Sequence, residues 1–130
     1  MFRMLLMACT VAFSLSLASD ADARTGAWLQ SFAERPYSRV RSELIGIGYR
    51  PVRFAAGSKG DRCYGVSWCD LYPETENCSG TGLALCSFIF YHRKSKKYLS
   101  VVTYGETRLI VLRAYYLTRN DRIGWHPYVL

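Results

Sequence analysis

From Leu85 to Leu117 apolar and polar positions trade places in three runs, Leu85 to His92, Tyr98 to Tyr104 and Arg108 to Leu117, all rich in β-branched and aromatic residues. They are joined by Arg93-Lys94-Ser95-Lys96-Lys97 and by Gly105-Glu106-Thr107, turns short enough to predict an antiparallel meander. Closing the first turn between His92 and Tyr98 sets a register. Alternation then collects Leu85, Ile89, Tyr91, Leu99, Val101, Leu109 and Val111 on one face, and Phe88, Phe90, Tyr98, Val102, Tyr104, Ile110, Leu112 and Tyr116 on the other. Both faces are apolar, whereas an antiparallel sheet usually turns one side to water. The second face therefore needs a cover, supplied either by the cysteine-stapled segment and the Trp28 to Phe32 stretch or by a partner laid across Phe88, Phe90 and Tyr98.

Upstream, the period changes. Between Arg39 and Ile45, Val40, Leu44 and Ile45 fall on one helical face while Arg39, Arg41 and Glu43 lie off it, and Gly46 or Gly48 can end the helix in a left-handed conformation. Tyr49 to Phe54 reads as a strand that Pro51 restricts to an edge or to a strand start. Trp28, Leu29 and Phe32 suggest an earlier short helix. The expected fold class is α+β: an N-terminal helix or helices packed on an antiparallel β-meander with a disulfide-stapled insertion.

Residues 1–23 follow another pattern. Arg3 precedes an apolar run from Met4 to Ala18, and Ala21-Asp22-Ala23 supplies a small-residue cleavage site, so this stretch reads as a signal peptide and the mature domain as 24–130, beginning at Arg24. The apolar run is shorter than the roughly 20 residues of a membrane span, and no other transmembrane segment is expected. Lipidation at Cys9 is the competing reading, and it is disfavoured because the apolar run continues well beyond that residue.

Export decides how the cysteines are read. Cleavage leaves Cys63, Cys69, Cys78 and Cys86, an even set that an oxidising compartment pairs into disulfides. Their spacing lacks the close pairs of a zinc site, His92 and His126 lie elsewhere, and neither metal nor cofactor is expected. Of the three connectivities, the nested one, Cys63 with Cys86 and Cys69 with Cys78, suits a hairpin. The crossed and sequential pairings stay open. Within the stapled segment Tyr72-Pro73-Glu74 and Asn77 read as turn chemistry, and Ser79-Gly80-Thr81-Gly82 reads as a tight turn, without a Walker-type lysine.

Charge and composition add a candidate site. The chain carries +7, or +8 once Arg3, Asp20 and Asp22 leave with the signal, which favours anionic neighbours. Arg93, Lys94, Lys96 and Lys97 on one hairpin tip, beside Tyr98, are the candidate anion contacts, although charged turns also guard sheets against aggregation. Nucleic acid is not expected of an exported chain. Catalysis finds no constellation: Glu74 and Glu76 lie in a turn, and only a deep pocket gathering two of Asp70, Glu74, Glu106, His92 and His126 would supply one.

The layout Cys69-Asp70-Leu71-Tyr72-Pro73-Glu74, Cys78-Ser79-Gly80-Thr81-Gly82, Cys86 and Val101-Val102-Thr103-Tyr104-Gly105-Glu106 resembles small, uncharacterised exported proteins of Gram-negative bacteria, over roughly residues 44–112. The resemblance implies periplasmic residence and disulfides, and it supplies no activity. The expectation is a periplasmic or secreted, non-catalytic module that recognises an envelope protein in the manner of an inhibitor or adaptor. The alternative is a basic envelope protein that contacts lipopolysaccharide, peptidoglycan or acidic lipid through 93–97. Homo-oligomerisation is compatible with either.

Overall fold

A computed structural model describes residues 26–54, 62–63, 66–80 and 82–118, together with the backbone of 128–129. The signal-peptide boundary, Cys9, Arg24 and His126 lie outside the described residues. A helical turn, α1, covers 26–30. Pro36, with φ −58°, opens helix α2, Tyr37–Gly46, and suits that place because a helix start has no use for the missing N–H. Tyr37, Val40 and Leu44 recur every three or four residues and are buried. Ile45, expected on the same face, is a further 100° round and stays 41% exposed. The chain leaves α2 through Gly48, whose φ of +101° is the left-handed conformation foreseen there.

The strands are β1 Tyr49–Arg53, β2 Thr75–Cys78, β3 Cys86–His92, β4 Lys97–Tyr104, β5 Ile110–Tyr116 and β6 Tyr128–Val129, with a short helix α3, Trp68–Leu71, between β1 and β2. All pairings are antiparallel, in the order β5-β4-β3-β1-β6. β4 takes one edge of β3 along its whole length, so β1 and β2 share the other, β1 along 90–92 and β2 along 86–88. Pro51 is tolerated because, among the described residues, β6 meets β1 past it, at Val52 and Arg53. The α+β expectation holds: helices and a β3-β4-β5 meander enclose one core.

The register departs from expectation by one residue. The turn holds four residues, 93–96, with Lys96 at φ +55°, so His92 pairs with Lys97 instead of Tyr98. A slip of one exchanges faces between paired strands. Phe88 stands opposite Val101 and Phe90 opposite Leu99, and all four are buried with Phe32, Tyr37, Val40 and Leu44 beneath the helices. Phe88 and Phe90 are therefore core residues, not a partner-binding surface. The other face carries Ser87, Ile89 and Tyr91 from β3 and Tyr98, Ser100 and Val102 from β4. Trp28 and Phe32, expected as its cover, pack instead against the helix-side core. Even so, Val52, Ile89 and Ser100 have no exposure, so the centre of the second face is closed.

The cysteines pair sequentially, Cys63 with Cys69 and Cys78 with Cys86, which overturns the nested pairing. The reason is where the hairpin turns. β2 and β3 fold back around residue 82, so Cys78 sits directly opposite Cys86 with Cα atoms 4.0 Å apart, close to the spacing of a non-hydrogen-bonded pair. The Ser79 N–H donates to the Leu85 carbonyl at 2.6 Å and closes the next rung. Cys69, on α3, is left for Cys63, their Cα atoms 6.2 Å apart.

Candidate functional site

Two features gather polar chemistry. The first is an interior cluster around Glu74, whose side chain is fully buried between α2 and the start of β2. Tyr37 and Arg41 are one helical turn apart and so point the same way. The Tyr37 hydroxyl donates to Glu74 Oε1 at 2.8 Å, and Arg41 donates through Nε to Oε1 at 2.5 Å and through Nη2 to Oε2 at 3.4 Å. Burial, then the neighbouring carboxylate, raises the Tyr37 phenol well above its ordinary value, while the bond to Glu74 raises the Arg41 guanidinium. Arg41 also lies over the Tyr72 ring, 5.5 Å from its centroid. A sealed carboxylate with both oxygens engaged cannot receive a substrate; the cluster pins α2 to the sheet.

The second feature is an open groove of about 560 Å³ lined by Ile45, Ile47, Gly48, Tyr49, Arg50, Pro51, His92, Arg93 and Lys94. The topology builds it. Tyr49 pairs with His92, so the end of α2 and its Gly48 turn come to rest against the root of the β3-β4 hairpin. Ile45 and Ile47 are 41% and 50% exposed, and Arg50, Arg93 and Lys94 are exposed beside them. Among the described residues none of the lining is acidic. The His92 ring packs against Tyr49 at 4.8 Å between centroids. Its Nδ1 accepts the Ser95 N–H at 3.2 Å, which leaves the proton of the neutral ring on Nε2. A Cβ on Gly48 would sit 3.2 Å from that Nε2, so the glycine keeps this N–H clear as well as making the turn.

The structure thus divides the basic tip. Arg93 and Lys94 enter the groove, whereas Lys97 turns toward β5, its Nζ 5.0 Å from the Tyr116 ring centroid, and Lys96 is exposed outside the lining. Tyr98 is half-buried on the second face, its ring 4.6 Å from that of Tyr91. Ile45, Ile47, Arg50 and His92 were not among the expected binding residues. The one advance sign was the apolar-basic mixture around Gly48, which has no meaning until the hairpin arrives.

Of the residues considered for catalysis, three stay apart. Glu74 is enclosed, His92 lines the groove, and Glu106 lines a separate cavity of about 240 Å³ beside Trp68 and Ala84. A larger opening of about 730 Å³ beside the Cys78–Cys86 disulfide is lined by Asn77, Ser79, Gly80, Leu85, Ser87 and Val102 and, among the described residues, carries no titratable side chain. Among the described residues no three His, Cys, Asp or Glu are grouped to hold a metal ion, and no helix is long and apolar enough to cross a membrane.

No family model, curated protein or solved structure matches this chain, so a functional reading has to be carried by the geometry.

Proposed function

We propose that the chain is a non-catalytic binding module of the periplasm or the exterior, and that it holds an anionic envelope component in the groove between the end of α2 and the β3-β4 hairpin. The carrying observation is the lining: Arg50, Arg93 and Lys94 beside the exposed Ile45 and Ile47, with no carboxylate among the described residues. Charge of one sign concentrated on a concave surface raises the local concentration of the opposite ion. Each screened contact is modest alone, so such binding weakens with ionic strength. Export and disulfides fit this setting, because anionic polymers and lipids are abundant there.

Recognition of an envelope protein is the second reading, and what favours it is β5, the end strand of the order, with Leu112, Arg113 and Tyr115 exposed. Capture from envelope extract on the immobilised, oxidised protein separates the two. The groove reading predicts anionic polymer or lipid retained at low salt and lost at high salt, and lost likewise by an Arg93→Glu/Lys94→Glu variant. One stoichiometric protein that survives both high salt and the double reversal would overturn it in favour of the second reading.

A further inference from the structure

We infer that the groove docks the protein on the headgroups of an anionic lipid surface, with Ile45 and Ile47 entering between headgroups and Arg93 and Lys94 meeting phosphates. The inference rests on the groove reading and names its ligand. It starts from the two isoleucines. A soluble acidic polymer would satisfy the cations yet leave these side chains in water, although they stand 41% and 50% exposed at the end of a helix that buries its other apolar residues. Aliphatic tips surrounded by Lys and Arg are what the interfacial layer of a membrane accommodates, with apolar groups below and cations level with phosphates.

The arrangement of donors agrees. Arg93 and Lys94 follow His92 on the hairpin, Arg50 reaches the same groove from β1, and the Nε2 proton of His92 is kept clear by Gly48. Arginine, lysine and imidazole N–H are complementary to phosphate oxygens. The nearest acidic side chain on α2, Glu43, is turned to Arg35 at 2.5 Å and does not line the groove. The docking is peripheral, because it needs only the helix end and the hairpin tip.

The test is flotation of the oxidised protein with phosphatidylglycerol vesicles and with phosphatidylcholine vesicles, alongside binding to soluble dextran sulfate. The wild type is expected to float with phosphatidylglycerol alone and to be released by salt. A charge near such a surface is worth about fivefold in partitioning, so Arg93→Glu/Lys94→Glu should lower flotation by more than about 25-fold and dextran sulfate binding with it. Ile45→Ser/Ile47→Ser should lower flotation about tenfold and leave dextran sulfate binding unchanged. Both isoleucines stand outside the buried core, at 41% and 50% exposure, so that variant should still unfold in one cooperative melting transition, which verifies the fold. Dextran sulfate binding through Arg93 and Lys94 without vesicle flotation, or flotation indifferent to the isoleucines, would overturn the lipid inference and leave the groove reading standing. Failure to bind either probe would overturn both.

Discussion

Replacing Arg41 by alanine would leave the buried Glu74 carboxylate with the Tyr37 hydroxyl as its remaining described partner. Breaking such a pair from one side costs about 3 kcal/mol or more, because the stranded charge stays in a low-dielectric interior. Urea unfolding is expected to show a loss of that order for Arg41→Ala; a loss below about 1 kcal/mol would mean the cluster does not pin α2. Tyrosines give a second expectation at this scale. Burial followed by Glu74 raises Tyr37, and burial followed by a hydrogen bond with Tyr116 raises Tyr49. A folded-state value above the unfolded one means that the native chain keeps protons the unfolded chain gives up beyond about pH 10. The stabilisation is complete below that pH and is lost as pH rises through the folded values. Melting temperature should therefore fall steeply above pH 10, with Tyr37 and Tyr49 ionising only on unfolding. Full tyrosine ionisation of a still-folded protein, read by ultraviolet difference absorption, would refute this.

Among the elements, the cysteine segment offers the sharpest check. Proteolysis without reduction should release a Cys63–Cys69 fragment and a Cys78–Cys86 fragment, and a fragment joining Cys63 to Cys86 would contradict the hairpin described here. Loops this short restrict the unfolded chain by about 2.5 kcal/mol per bridge on the chain-entropy account, so replacing Cys78 and Cys86 by serine should cost about that much. The same segment shows where sequence reading ran out. The spans of α2, β1, β3, β4 and β5 were legible to within two residues because period and turn chemistry are local properties. β2 was not, since Thr75-Glu76-Asn77-Cys78 has the composition of a turn and becomes a strand only through its pairing with β3. The register was missed for a related reason: counting Lys97 into the turn, when Lys96 completes it in a left-handed conformation, exchanged Phe88 and Phe90 from the core to the surface. Gly105, at φ +111°, lies where a Cβ would collide with the Arg108 carbonyl oxygen, so that turn left less freedom.

For the whole molecule, the candidate site was half legible. Its cations were visible as a run, but a run does not say which members converge, and that depends on α2 ending against the hairpin through the Tyr49–His92 pairing. Convergence makes the account testable at constant charge. Arg93→Glu/Lys94→Glu and Lys96→Glu/Lys97→Glu alter net charge equally, on the same hairpin, so diffuse attraction between a basic protein and an anionic surface would suffer alike in both. The decisive measurement is therefore capture of anionic envelope material at low salt by the wild type and by these two variants in parallel. The first variant is expected to lose capture about 25-fold or more while the second keeps most of it, since each groove cation acts at close range and Lys96 and Lys97 lie outside. Equal losses in the two variants would contradict this and return the hairpin to the role of a solvated, basic turn.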